Sequence, residues 1–380
     1  MQTLKTIIKM IAGLLGGIII GLLIAGAGLA IFTDISFSQF LDNMSGASLK
    51  SGLIGMGIGV GTLVITLPLL VMIHEAGHLV GGLLSGYSFV SFRIFNLTFI
   101  RIEGKTRIKR FAVAGTGGQC LLTPPDLPIE RIPTMLYNLG GVFANLLVLL
   151  IAVPVLFLDL NPIVRSFIVL LVITDAILLA TNGIPLKIGG ITNDAYNQIL
   201  LHKSPASKRG LVLQLRSNAL IQDGTRPKDM PDEWFDVPEH IDYGNALEAS
   251  LPIMAASRLI DMYRWEEAYQ YFSDILGHRK EIMGLYVNEI LCEMVFLPLV
   301  TGRKEEAQSL LTKDIEKYIN TYRKVMSSKE RILGAIDYYM KEDTAGAKAI
   351  YDNLLSRKDE YLLQGEVKSD IAILDKILNH

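Results

Sequence analysis

Four runs of this sequence, residues 8–32, 52–84, 133–158 and 162–181, stay apolar for about the thickness of a bilayer, which a helix crosses in about 20 residues. Lipid offers no water to unpaired backbone groups, so such runs must close their hydrogen bonds internally, as helices. The first run outlasts the roughly 7–15 apolar residues of a signal peptide and ends in a weak cleavage site, AGAGLA, so it reads as a retained helix. Its Gly13, Gly16, Gly17 and Gly21 suit close helix packing, although a lipid-facing helix tolerates them equally. The expected fold class is mainly α: a polytopic bundle of about four spans, followed by a soluble all-α domain.

Charge separates those two parts. Residues 1–200 hold 12 Lys/Arg and 9 Asp/Glu, whereas 201–380 hold 24 and 29. Neither half is basic enough for a nucleic-acid partner. Two cysteines, Cys120 and Cys292, make neither a disulfide framework nor a thiolate metal site and read as buried thiols. Between the second and third spans lie Arg93, Arg101, Lys105, Arg107, Lys109, Arg110 and Arg131; the loop after the first span has Lys50 against Asp34 and Asp42. The positive-inside rule makes the basic loop cytoplasmic. Four spans then place both chain ends in the cytoplasm, in agreement with Lys5 and Lys9.

The second span contains VITLPLLVMIHEAGHLVGGLLSG, with His74, Glu75 and His78 in an apolar run. Ionisable residues at bilayer depth are costly and usually face a polar cavity where they work, although a hydrogen-bonded cluster between helices is the plainer alternative. Residues four apart share a helix face, so both imidazoles can serve one metal ion. Glu75 is rotated by about 100° from His74 and reaches water beside such an ion without being a ligand.

Two histidines require a third ligand. The fourth span ends in ATNGIPLKIGGITNDAYNQIL, where Asn182 and Pro185 stop the helix and Gly189 and Gly190 allow an irregular turn before Asp194. Irregular backbone at membrane depth is tolerated where it lines a protein cavity. Asp194 is the preferred ligand; as an isolated residue it reads as an acid favoured by a helix N-terminus. Asp175, within the fourth span and two helical turns from Asn182, is the competing carboxylate.

HEAGH in a transmembrane helix, followed by N-x-x-P and a downstream Asp, resembles the site-2 protease family of intramembrane zinc metalloproteases. The resemblance covers about residues 52–200. It implies one Zn2+ per chain held by His74, His78 and Asp194, with Glu75 activating water and Asn182 and Pro185 near the substrate. The family often has Asp-Gly at the third ligand, where this chain has Asp194-Ala195. NLGGVFANLL resembles the small-residue motif of the family's core third helix: Gly140 and Gly141 allow close approach, and Asn145 supplies a polar contact near the site. Ordinary glycine-mediated packing explains the same residues.

SFVSFRIFNLTFIRIEGKTRIKRF alternates apolar and polar residues around Glu103-Gly104 and predicts a β-hairpin. The family has a membrane-associated hairpin here, whose edge could hold an unwound substrate by strand addition; a basic hairpin touching anionic lipid is the alternative.

Domain limits are expected at 1–200 for the membrane metalloprotease part, 201–241 for a connecting segment and 242–380 for a cytoplasmic helical domain. In that last part three windows align at spacings of about 40 residues, as Ala268/Phe272/Leu276, Ala307/Leu311/Ile315 and Ala347/Tyr351/Leu355. They resemble degenerate tetratricopeptide-like helix pairs, which would form either a concave protein-binding surface or a plain stabilising bundle. The expected function is an intramembrane zinc endopeptidase, multi-pass in the cell membrane, acting on transmembrane proteins or membrane peptides. The competing expectation is a membrane scaffold or receptor with a structural or decayed zinc site, and the intact Glu75 argues against it.

Overall fold

The computed structural model describes residues 49–102, 104–110 and 117–379. The span expected at 8–32 and the tip residue Glu103 lie outside them.

Among the described residues, three helices are long and apolar enough to cross a membrane: α1 (Leu49–Leu84), α2 (Met135–Val155) and α3 (Pro162–Gly183). Pro68 sits inside α1, a substitution that lipid-embedded helices accept where neighbouring groups satisfy the freed carbonyl. The start of α3 is written locally: Asn161 accepts hydrogen bonds from the Ile163 and Val164 amides, and Pro162 occupies the first turn, where its missing N–H costs nothing. Large apolar side chains point outward from these helices, Val64, Leu150 and Ile163 each being more than 60% exposed.

The described residues divide into two compact units, one within 49–77 and 141–184 and the other within 78–140 and 185–379. In the first, Ala152, Leu156, Val169 and Val172, from α2, the turn after it and α3, form a small apolar core.

The second unit begins with an antiparallel sheet of β1 (Ser88–Ile94), β2 (Leu97–Ile102), β3 (Lys105–Arg110) and β4 (Gly118–Thr123), in the order β3-β2-β1-β4. The β2–β3 pair is the expected hairpin, with Ile102 opposite Lys105. Gly104 takes φ +76 at its turn, which a side chain would disfavour. The sheet goes beyond that expectation: β1 pairs with both β2 and β4. GQCLLT in β4 is a short run without clear alternation, so its pairing was not written in a local pattern.

After the sheet come the short hairpin β5 (Lys187–Ile188) and β6 (Ile191–Thr192), then α4 (Asp194–Lys203) and α5 (Pro205–Gln222). The segment expected to connect two domains is thus largely helical, and Val212 and Leu215 of α5 join Tyr87, Cys120 and Leu122 in one apolar core.

The remainder is helical: α6 (Ala246–Asp261), α7 (Trp265–Leu276), α8 (Gly284–Val300), α9 (Lys304–Leu310), α10 (Lys313–Tyr322), α11 (Ser327–Ala335), α12 (Thr344–Arg357) and α13 (Gln364–Asn379). Ala268, Ala307 and Ala347 are all fully buried, as close pairing of neighbouring helices requires. The large apolar partners differ in register. Ile275 and Leu354 are the buried residues, rather than Leu276 and Leu355, because seven residues advance a helix by nearly two full turns and eight overshoot the face. In the second window the helix stops at Leu310, and Ile315 belongs to α10. The last helix, α13, folds back on α5 and α6: Lys368 Nζ donates to Gly224 O at 2.8 Å, and Ser369 Oγ to Asp261 Oδ1 at 2.5 Å.

Candidate metal centre

His74 and His78 occupy consecutive turns of α1, which runs unbroken through both residues, so their relation is fixed by helix geometry. Each imidazole is held at Nδ1. His74 Nδ1 lies 2.6 Å from Asn145 Oδ1 on α2, and Asn145 Nδ2 donates to Asp175 Oδ1 on α3 at 2.5 Å. Because the Asn145 amide N–H is used on a carboxylate, its carbonyl is left to accept, and the proton between it and His74 belongs to Nδ1. His78 Nδ1 lies 2.8 Å from the main-chain carbonyl of Tyr137, which can only accept. In their neutral forms both rings therefore keep the lone pair on Nε2.

Asp194 is the first residue of α4, and its Oδ2 is 3.4 Å from His78 Nε2. Two contacts set its backbone. Asn138 Nδ2 donates to Asp194 O at 2.6 Å, while the preceding Asn193 caps the helix by accepting from the Tyr196 amide. His78 and Asp194 thus set an imidazole nitrogen beside a carboxylate oxygen, and His74 stands one turn earlier on the same helix. Two imidazole nitrogens and one carboxylate oxygen are the donor set of a zinc site with a position left for water or substrate. The side chains of His78 and Asp194 are only 13% and 21% exposed, which limits competition from solvent.

Asp175 is placed differently. It is fully buried and faces Asn145, two hydrogen bonds removed from the His74 ring. Glu75 follows His74 directly in α1. Asn145, expected as a polar contact near the site, accepts from His74 Nδ1. Asn182 Nδ2 donates to Leu178 O one turn back in α3, and Pro185 is exposed beyond the end of that helix.

Two residues near the site were missed from sequence. Tyr137 supplies the carbonyl for His78, donates its hydroxyl to Cys120 O at 2.9 Å and stacks on Tyr87 at 4.9 Å between ring centroids. Its role is carried by the main chain and therefore leaves no trace in residue type. Asn138 opens the NLGG segment, and a polar residue there was a usable signal.

No protein-family model, curated protein or solved structure matches this chain.

Proposed function

We propose that the chain is an intramembrane zinc endopeptidase of the site-2 protease type, cleaving peptide bonds within or next to membrane-spanning segments of other proteins or peptides. The observation that carries this reading is the tautomer control at His74 and His78: each has its Nδ1 proton on a fixed oxygen acceptor, and Asp194 lies beside the second ring. A hydrogen-bonded structural cluster would need no such shared preparation of two Nε2 atoms one turn apart.

The residues present fit one zinc ion, with His74, His78 and Asp194 holding it. When bound, the ion polarises a carbonyl as a Lewis acid and makes nearby water more acidic. The Glu75 carboxylate takes a proton from the attacking water and passes it to the leaving amide nitrogen, acting first as base and then as acid. Tyr137 O and Asn145 Oδ1 keep the two rings in register during this exchange, and Asp175 anchors Asn145. The apolar helices exclude bulk water, which strengthens each of these polar contacts.

In this reading the protein is multi-pass in the cell membrane, with the basic sheet and the helical domain on the cytoplasmic side. The sheet offers a strand edge to an unwound substrate. The α6–α13 domain acts as a tetratricopeptide-like platform for a protein partner.

Membrane proteomes of cells carrying the unaltered chain and Glu75→Gln test the proposal. Expected are intact transmembrane fragments that accumulate only in the variant, while purified Glu75→Gln retains zinc. Cleavage by the purified variant at the unaltered rate would exclude Glu75 as base and with it the mechanism.

A further inference from the structure

Asp194 stands at the base of a hairpin whose two ends touch the helical domain. In β5–β6, Lys187 pairs with Thr192 and Ile188 with Ile191. Asn193 closes the hairpin: its amide donates to Leu186 O at 3.1 Å, and its side-chain oxygen accepts from the Leu186 amide at 3.2 Å. The same side-chain oxygen caps α4 through the Tyr196 amide at 2.9 Å. One residue thus ties the hairpin base to the first turn of the helix that begins with Asp194, so a tilt of the hairpin is passed on to the carboxylate.

Two contacts set that tilt from outside. Lys187 Nζ donates to Gly244 O, in the loop before α6, at 2.6 Å. At the hairpin turn, Gly190 has φ +87, and a Cβ built on it would lie 3.0 Å from the Met283 Cα and 3.2 Å from its Cβ, immediately before α8. The backbone of the turn therefore rests directly on Met283. Two well-separated contacts on a two-stranded hairpin define its orientation, whereas one would leave it free to pivot.

We infer that the α6–α13 domain positions Asp194 through this hairpin, with Lys187 and Met283 as positioning residues for the metal site. The inference rests on the metal-site reading above and extends it: the soluble domain completes the geometry of the third ligand instead of serving only as a docking platform. A partner that shifts the Gly244 loop or the start of α8 then changes the metal site without touching it.

The test uses the full-length chain in detergent, with Zn2+ and Co2+ as probes. Lys187→Met combined with Gly190→Ala disturbs both contacts, the first by removing the donor and the second by placing a Cβ 3.0 Å from the Met283 Cα, and leaves all three ligands in place. Expected is a rise in the zinc dissociation constant of about tenfold, the scale typical for lost support of a metal ligand. The visible absorption bands of the cobalt-loaded protein should shift, since they report ligand geometry. Lys187→Arg, which keeps a donor, should bind as the unaltered chain does. Two controls separate the outcomes. If the unaltered chain and His78→Ala bind the metals equally poorly, the metal-site reading fails and this inference with it. If the unaltered chain binds zinc, His78→Ala does not, and the double variant matches the unaltered chain in affinity and cobalt spectrum, the hairpin link alone is overturned.

Discussion

Gly141 lies flat against the imidazole of His74: a Cβ on residue 141 would come within 2.5 Å of the ring carbon Cε1 and of Nε2. No real side chain tolerates that separation, so α2 can present Asn145 to His74 only because residue 141 has no side chain. The glycine belongs to the candidate metal centre although it offers no ligand atom.

Gly141→Ala is accordingly expected to displace the His74 ring and weaken zinc binding by about tenfold or more. Gly61→Ala is the matched control in α1, since nothing lies within 4 Å of the Cβ it would add. Equal zinc affinity in both variants, measured by competition with a chelator, would remove Gly141 from the site.

The two candidate carboxylates should separate cleanly. Asp194→Ala deletes the group 3.4 Å from His78 Nε2 and is expected to lower zinc occupancy and abolish cleavage. Asp175→Asn keeps an oxygen to accept from Asn145 and should retain zinc, with activity reduced by about tenfold through a looser His74. Zinc content of the two purified proteins decides the matter, and full occupancy in Asp194→Ala with loss in Asp175→Asn would exchange their roles.

Orientation in the membrane is open to chemical labelling. Lys105 is exposed at the start of β3, whereas Cys120 and Cys292 are both buried. Burial pushes the Cys292 thiol up to about 12, which removes its reactive thiolate at neutral pH. Lys105→Cys should therefore give a clean signal with membrane-impermeant thiol reagents applied from the cytoplasmic face. Labelling from the outer face alone would invert the topology.

Glu366 on α13 lines a cavity of about 160 Å3 inside the helical domain, together with Asp370, Glu289 and Glu293. Burial, reinforced by the charges of Asp370 and Glu289, raises its carboxyl from an ordinary 4.5 to about 8. In this window the folded chain holds a proton that the unfolded chain has released, so stability falls as pH rises from about 4.5 to about 8 and then levels off. Glu366→Gln removes that loss. Its melting temperature should match the unaltered chain near pH 4.5 and exceed it above pH 8, and parallel melting curves across this range would refute the assignment.

Much of this architecture was legible in residue type. The apolar runs that became α1, α2 and α3 are long enough to cross a bilayer, where a helix satisfies its own backbone, and HEAGH placed two imidazoles one turn apart by helix periodicity alone. The buried alanines at 268, 307 and 347 were visible as small residues at a regular spacing. The choice between Asp194 and Asp175 was not visible in this way, since both are carboxylates near the end of α3 or just beyond it. Their surroundings differ through the packing of α2, which sends Asn145 to the Asp175 carboxylate and Asn138 to the backbone of Asp194.

What the sequence determined by itself was therefore whatever depends on period and on apolar length: long apolar helices, the two histidines on one face, and a helical second half. Tertiary structure alone decided which main-chain carbonyl holds His78, why residue 141 must be glycine, where β4 joins the sheet, and that Met283 and Gly244 reach the hairpin before Asp194. These relations join residues far apart in the chain through backbone atoms and excluded volume, which are common to every residue type and leave no pattern in the order of side chains.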